Sequence, residues 1–226
     1  MTDILDSLID EPDTFELVRD QVAMLLSAEV DNQQQLAANE GKDPDQWKLR
    51  VYSEHSNPFE QYLNTPEERT PLINVWFDND GVMESRSNTV ADQTHEGTFN
   101  VDCFGRGYSR PDGSGHVLGD RESVLEAQRA MRISRAIVMA GINTYLQMPR
   151  GVVAQRMVES RTSFQPVQAG DQAHHVAGAR MALRVRYNEA SPQVKGEILE
   201  QISTTVEFKD TGEAVPKVKA TYNVGE

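Results

Sequence analysis

The sequence predicts an α+β fold: a mainly antiparallel β-sheet with an N-terminal helix and a long central helix packed on one face. Two observations indicate this class. Apolar residues recur at helical spacing near the N-terminus and again over 121–148, whereas the stretches between and after these helices alternate apolar with polar residues, as half-buried strands do. Hairpin turns rather than helical crossovers join the alternating stretches, which argues against a parallel sheet.

The N-terminal helix is expected to begin at Asp13 and to fade near Val30. Pro12 precedes Asp13, and Glu16 follows three residues later, which is the pattern of a capping box. The polar stretch 31–46 is expected to be a loop. One stripe of the helix is predicted to be buried, and it consists of Phe15, Val18, Val22, Leu25 and Leu26.

Three strands are predicted between the helices, at 47–54, 71–78 and 97–104, because apolar and polar residues alternate in each. The Asn-Asp-Gly sequence after the second strand is typical of a tight hairpin turn, since Asn and Gly tolerate positive φ. The chain could then return as a strand from Val82 to Ser87. The proline-containing stretch 55–70 is expected to be a long loop.

The Gly-rich stretch 105–120 is expected to be a surface loop that leads into the central helix. Asp120 is predicted to cap this helix, and Pro149 with Gly151 to end it near residue 148. Its packed side is predicted to contain Ala127, Ala130, Met131, Ile137, Val138, Gly141, Ile142 and Tyr145.

The second half of the chain predicts a hairpin made of a strand at 152–167, a turn at 169–172 and a strand at 176–187. A last strand is predicted at 198–208. In domain terms, 1–12 is an acidic N-terminal lead, 13–208 a single α+β domain with long loops, and 209–226 a C-terminal arm or extra short strand.

Composition restricts the class of protein. The 226 residues carry a formal net charge of −13, and an acidic surface repels nucleic acid, so sequence-independent DNA binding is not expected. The lone Cys103 lies in a strand-like run, which favours a buried, inert thiol. The N-terminus lacks a basic region and no apolar run reaches bilayer length, so a soluble protein made in a cytoplasm is expected.

Motifs for chemistry are weak throughout. The stretch Asp78–Gly81 resembles a calcium loop, but its twelfth position is Thr89 rather than an acid. The adjacent His174 and His175 would point to opposite faces of a strand, and the other histidines (His55, His95 and His116) are expected to be scattered in loops. The Gly-rich stretch lacks phosphate-loop spacing, and no serine lies in a GxSxG elbow. No catalytic, metal or cofactor residues are therefore predicted.

The strand at 176–187 carries an apolar face and an arginine face, the second formed by Arg180, Arg184 and Arg186. Three interpretations of the arginines stay open. They could be solvated, they could pair across strands or between subunits with acids such as Glu159 or Glu200, or they could bind an acidic ligand. Arginine's planar fork suits bidentate carboxylate contacts at interfaces.

The order of elements, together with GTFNVDCFGRG before the long helix and MALRVRYNE on a late strand, resembles tail terminator proteins of tailed bacteriophages. The resemblance covers roughly residues 12–190. It implies an α+β subunit of a hexameric ring that caps the tail tube and docks the tail to the head-side connector, without catalytic residues or cofactors. DNA would pass through the acidic lumen without specific binding, and the protein would be part of the virion, assembled in the host cytoplasm.

If the arginine face is a subunit or partner interface, its residues are Arg180, Arg184, Arg186, Arg106 and Tyr108. Three other functions stay open: another head–tail connector or neck protein, a non-viral binding module that acts as an adaptor, and an enzyme that uses dispersed acids with His174 or His175. The long loops and the segment after 190 are additional to the tail terminator pattern.

Overall fold

The computed structural model describes residues 10–58, 69–84, 88–89, 92–112, 115–117, 119–164, 175–190, 201–206 and 218–223. The chain divides into two compact units, and the larger is Glu11–Ser191. Its two α-helices are α1 (Thr14–Asn39) and α2 (Gly119–Val138). Its strands are β1 (Arg50–Ser53), β2 (Leu72–Val82), β3 (Asp92–Gly107), β4 (Arg110–Asp112), β5 (Gly115–Val117), β6 (Val153–Phe164) and β7 (His175–Ala190).

A five-stranded sheet in the order β1-β2-β3-β7-β6 forms the centre of this unit, and β4 and β5 form a separate small hairpin. The α+β class is thereby confirmed, as is the antiparallel pairing of β6 with β7. The turn predicted at 169–172 lies outside the described residues. One detail differs from the expectation, because β1 runs parallel to β2. The long connection between Ser53 and Leu72 gives the chain enough length to return to the start of the neighbouring strand.

Helix α1 is longer than expected. Its start is confirmed: the Asp13 backbone N–H donates to the Glu16 carboxylate at 2.9 Å, as a capping box requires. The predicted end near Val30 is wrong, because α1 continues to Asn39 through glutamine, leucine and alanine residues that favour helix. Gly41 then adopts φ +71° and ends the helix. A 3₁₀ turn at Pro44–Trp47 follows, so only 40–43 of the loop predicted at 31–46 lies outside helical structure.

The hairpin turn predicted at the Asn-Asp-Gly sequence is wrong. Strand β2 runs straight through it to Val82, with Asp80 opposite Gly97 and a register shift between Phe77 and Asn79. Gly81 does not adopt a positive φ, so its conformational freedom is not used. A bulge absorbs the extra residue and keeps the ladder intact. The returning strand is β3 rather than 82–87, of which 85–87 lie outside the described residues.

The contact between β3 and α2 explains the glycines that suggested a loop at 105–120. Gly105 and Gly107 belong to β3. A Cβ on Gly105 would lie 2.3 Å from the Ser123 carbonyl oxygen and 2.5 Å from the Ala127 nitrogen. Because Gly105 and Gly107 have no side chain, the backbone of α2 can approach β3 closely. The helix itself begins at Gly119.

Helix α2 ends at Val138, ten residues before its predicted end. The Arg156 guanidinium of β6 donates to the carbonyls of Val138, Ala140 and Thr144 at 2.6, 2.8 and 2.9 Å. A cation that binds the last carbonyls stabilises a helix end. Ile142, predicted to pack, is 90% exposed in the 3₁₀ turn that follows.

The hydrophobic core lies between the two helices and one face of the sheet. The apolar face predicted for β7 is confirmed, because Ala177, Ala179, Met181, Leu183, Val185 and Tyr187 are all buried. Cys103 of β3 is also buried, and burial raises the pKa of its thiol to about 12, so the thiol stays protonated at neutral pH.

The second compact unit includes Pro192–Glu226. Its described residues form two antiparallel strands, β8 (Gln201–Val206) and β9 (Val218–Asn223). The single domain predicted over 13–208 stays a prediction. Strand β9 lies within 209–226, where the sequence predicts an arm or an extra short strand. Among the residues that the structure describes, no helix combines the length and hydropathy that a membrane crossing requires.

Candidate functional site on the outer face of the sheet

The outer face is the side of the five-stranded sheet that points away from the core, and it presents Arg180, Arg184 and Arg186 of β7. Its apolar residues form a small cluster of their own, separate from the main core. Among the described residues the members of this cluster come from strands alone: Leu72, Phe104 and Val176, with Tyr52 and Phe164 packed against them. The face is thus amphipathic, with an apolar patch beside a charged ladder.

The strongest polar contact of the outer face joins Arg180 to Asp102. The guanidinium donates twice to the carboxylate, with Nε–Oδ1 at 2.6 Å and Nη2–Oδ2 at 2.8 Å. The Trp76 indole N–H donates to the same carboxylate at 2.9 Å. The guanidinium also lies 4.9 Å from the Trp76 ring centroid and 5.4 Å from that of Phe164. The hydrogen bond to Asp102 raises the pKa of Arg180, so the guanidinium keeps its positive charge.

The other two arginines are also paired within the chain. Arg184 contacts Glu96 at 3.3 Å and forms a second ion pair with Glu159. Arg186 contacts Glu96 at 3.2 Å. Three arginines thus meet three carboxylates, counting the Arg180–Asp102 pair, and the face is not a basic patch. The cross-strand pairing with Glu159 that the sequence allowed is present, whereas Glu200 lies outside the described residues.

Arg106 and Tyr108, the other two residues of the predicted interface, lie beyond the arginine ladder. Arg106 is only 2% exposed, so the expectation that it offers its side chain to a partner is corrected. Its guanidinium lies 5.0 Å from the Tyr108 ring centroid, so the aromatic ring covers part of it. Tyr108 is half-buried, and Arg69 lies 4.6 Å from its ring centroid.

A cavity of about 450 Å³ opens beside the Arg180–Asp102 pair. Trp76 and Phe164 contribute to its wall, and Asn74 holds the segment after β1 against β2. The His55 N–H donates to the Asn74 amide oxygen, and the Asn74 amide donates to the His55 carbonyl, both at 3.0 Å. Two of its polar pairs, Asn74 with His55 and Trp76 with Asp102, are hydrogen-bonded to each other.

Sequence reasoning missed Trp76, Asp102 and Phe164. The only signal was their place in alternating strands, since Trp76 and Asp102 fall on the face opposite the apolar residues. The expectation that His95 lies in a loop is also wrong: it lies in β3, whereas His55 does follow β1. His174 lies outside the described residues.

A scan against protein-family models and a search of curated proteins both give no match to this chain. The fold and the outer face therefore define the class of protein. It is an α+β protein with one face of its sheet closed by helices and the other an amphipathic surface whose arginines pair with carboxylates of the same chain.

Proposed function

We propose that this chain is a structural virion protein that forms a homo-oligomeric, hexameric ring, which terminates a phage tail tube and joins the tail to the head-side connector. The observation that carries the proposal is a sheet with two unlike open edges. A ring needs two different surfaces on each copy, because heterologous contacts repeat in one direction until they close. The resemblance to tail terminators supplies the viral context.

The first open edge is strand β6. In the part of the chain that the structure describes, β6 pairs with β7 on one side only. Most of its 12 residues are exposed, among them Met157 and the stretch Glu159–Ser163. A long, exposed edge offers unpaired backbone donors and acceptors to another strand, and soluble monomers usually shorten or cover such edges.

The second open edge is the distal half of β2. The partner strand β1 covers only Leu72–Val75, and the Phe77 N–H donates to the Glu54 carboxylate at 3.0 Å. The remaining stretch, Asp78–Val82, is exposed. It carries two aspartates. Strand β6 carries the exposed Arg161, and its exposed Glu159 is paired with Arg184, so Arg161 is the charge that β6 offers to the aspartates of the other edge.

The outer face and the net charge support the remaining parts of the proposal. The arginines of the outer face are neutralised by carboxylates of the same chain, and the whole chain has a net charge of −13. Such a subunit gives a ring lumen that DNA crosses without adhering. The β8–β9 hairpin forms a separate compact unit, as expected of an arm that contacts the tube or the connector.

The test measures ring formation by native mass spectrometry and electron microscopy of the full chain, alone and mixed with tail tubes from the phage that encodes it. We expect six copies bound at the end of each tube. Arg161→Glu should remain folded but lose tube-end rings, because it places a carboxylate on the β6 edge. The matched control, Arg132→Glu on the exposed side of α2, should assemble normally.

Two outcomes would overturn the proposal. One is a wild-type chain that stays monomeric and unbound in the presence of tubes. A monomer in the absence of tubes would not count, because ring formation can require the tube. The other is a chain encoded away from tube, sheath and connector genes. Normal rings with Arg161→Glu would instead exclude β6 as the contact edge.

A further inference from the structure

Three ligand-type side chains from three neighbouring strands meet at the end of the sheet, on its core side. They are Asp80 of β2, His95 of β3 and Glu189 of β7. In the strand register His95 lies opposite Val82 on one side and Tyr187 on the other. Asp80 and Glu189 each lie two residues from those partners, so the backbone itself places all three side chains on one face, in diagonal contact.

Distances within the trio are short. One ligand atom from each of the three residues lies within 4.8 Å of those of the other two. His95 Nδ1 lies 2.9 Å from Asp80 Oδ2, and His95 Nε2 lies 3.7 Å from Glu189 Oε2. The side chains are 16, 26 and 23% exposed for His95, Asp80 and Glu189, so solvent can reach the site.

Neighbouring groups hold both carboxylates in place. The Tyr187 hydroxyl donates to Asp80 Oδ2 at 2.6 Å. The Thr14 backbone N–H, in the first turn of α1, donates to Glu189 Oε1 at 3.3 Å. Gly97 leaves room for the tyrosine, since a Cβ there would lie 3.0 Å from the Tyr187 ring. Such supporting contacts orient ligands and fix their geometry.

The imidazole of His95 cannot satisfy both carboxylates in its neutral form. A neutral imidazole has one N–H and one lone pair. Whichever nitrogen of His95 carries the proton, the other directs its lone pair at a carboxylate, either Asp80 or Glu189. That nitrogen and the carboxylate opposite it are two electron-pair donors that face each other, as the ligand atoms around a metal ion do.

We propose that Asp80, His95 and Glu189 bind one divalent transition-metal ion. Two ligands of a tetrahedral zinc ion lie about 3.4 Å apart, close to the 3.7 Å between His95 Nε2 and Glu189 Oε2. An imidazole in the ligand set favours zinc-like ions over Mg²⁺ or Ca²⁺. The ion would cross-link β2, β3 and β7, and through Glu189 it would also hold the start of α1. This site does not depend on the proposed ring.

The test uses the full chain after removal of metal with a chelator, and Zn²⁺ as the probe at neutral pH. We expect one Zn²⁺ per chain by calorimetry and a rise in the melting temperature, with no rise for Mg²⁺. His95→Gln should weaken Zn²⁺ binding at least tenfold and abolish the rise. The matched control His55→Gln changes another histidine, in the segment that follows β1 and outside the trio, and should bind Zn²⁺ like the wild type.

Circular dichroism of each variant separates loss of metal from loss of fold. If His95→Gln does not fold, Zn²⁺ binding is measured on Glu189→Gln instead, since this variant keeps the shape of the side chain and removes the charge. The proposal is overturned if the wild type binds no Zn²⁺, or if the trio variants bind it as tightly as His55→Gln.

Discussion

The two faces of β7 are formed by alternate residues of one strand but are stabilised differently. On the core side Met181, Leu183 and Val185 have no exposed surface. On the outer side Arg180 and Arg184 have side chains that are 38 and 35% exposed, and each is bonded to carboxylates of neighbouring strands. The core side depends on the removal of apolar surface from water, and the outer side on directed contacts between particular partners.

This difference shows that the sequence of one strand predicts which of its faces is buried but not which residues its charged side chains contact. Alternation with a period of two places apolar side chains on one face whatever the neighbouring strands are. The partner of a charged side chain depends on strand order and register, which are properties of the whole sheet. The arginine face was consequently open to three interpretations until Asp102 and Glu96 were placed beside it.

The largest expected effect comes from a charge on the core side. Leu183→Asp places a carboxylate at a position with no exposed surface, and an unpaired buried charge costs several kcal/mol, enough to unfold a typical domain. We expect the variant to lose its cooperative thermal transition in circular dichroism. The matched control is Leu125→Asp on α2, where the leucine is 53% exposed and the cost should stay near or below about 1 kcal/mol. A folded Leu183→Asp protein would contradict the assignment of the two faces.

A smaller effect is expected from the glycine that lets α2 approach the core side of the sheet. Gly105→Ala forces its Cβ against backbone atoms of Ser123 and Ala127, which cannot rotate away as a side chain can. Overpacking of this kind costs about 1–3 kcal/mol. Gly81→Ala is the control, because nothing lies within 4 Å of its Cβ position. Urea unfolding should separate the two variants, and equal midpoints would mean that the helix shifts without strain.

Local sequence signals predicted the beginnings of elements better than their ends. The capping box at Asp13 and Glu16 acts over three residues, and it is present as predicted. The end of α2 depends on Arg156, which lies 18 residues beyond Val138 along the chain and reaches it only because β6 packs nearby. A helix end fixed by a distant strand leaves no local trace, so Pro149 appeared to be the stop signal.

At the Asn-Asp-Gly sequence the prediction failed for the opposite reason: a local turn signal is present but is overridden by strand pairing. Its residues favour a turn in isolation, but the ladder between β2 and β3 extends through Asp80 and Val82. Pairing along the whole strand outweighs the turn preference of three residues. The same extension brings Asp80 next to His95, 15 residues away. Neither the trio with Glu189 nor the outer-face pair of Asp102 with Arg180 could be predicted, because the trio requires three strands in register and the pair requires the register of β3 against β7.

The smallest expected effect distinguishes the two kinds of ion pair on the outer face. Asp102 is 6% exposed and accepts from both Arg180 and Trp76. Asp102→Asn keeps the shape but removes the charge, and we expect a loss of about 1–2 kcal/mol, reduced by solvent screening at the half-exposed arginine. Glu96→Gln, at a more exposed carboxylate with longer contacts to Arg184 and Arg186, should cost less than about 1 kcal/mol. Urea unfolding in low salt and in 1 M salt provides the check: the Glu96 effect should fade in salt while the Asp102 effect persists, because salt screens exposed pairs more than buried ones. Equal losses with equal salt dependence would mean that the whole outer face behaves as a solvated surface.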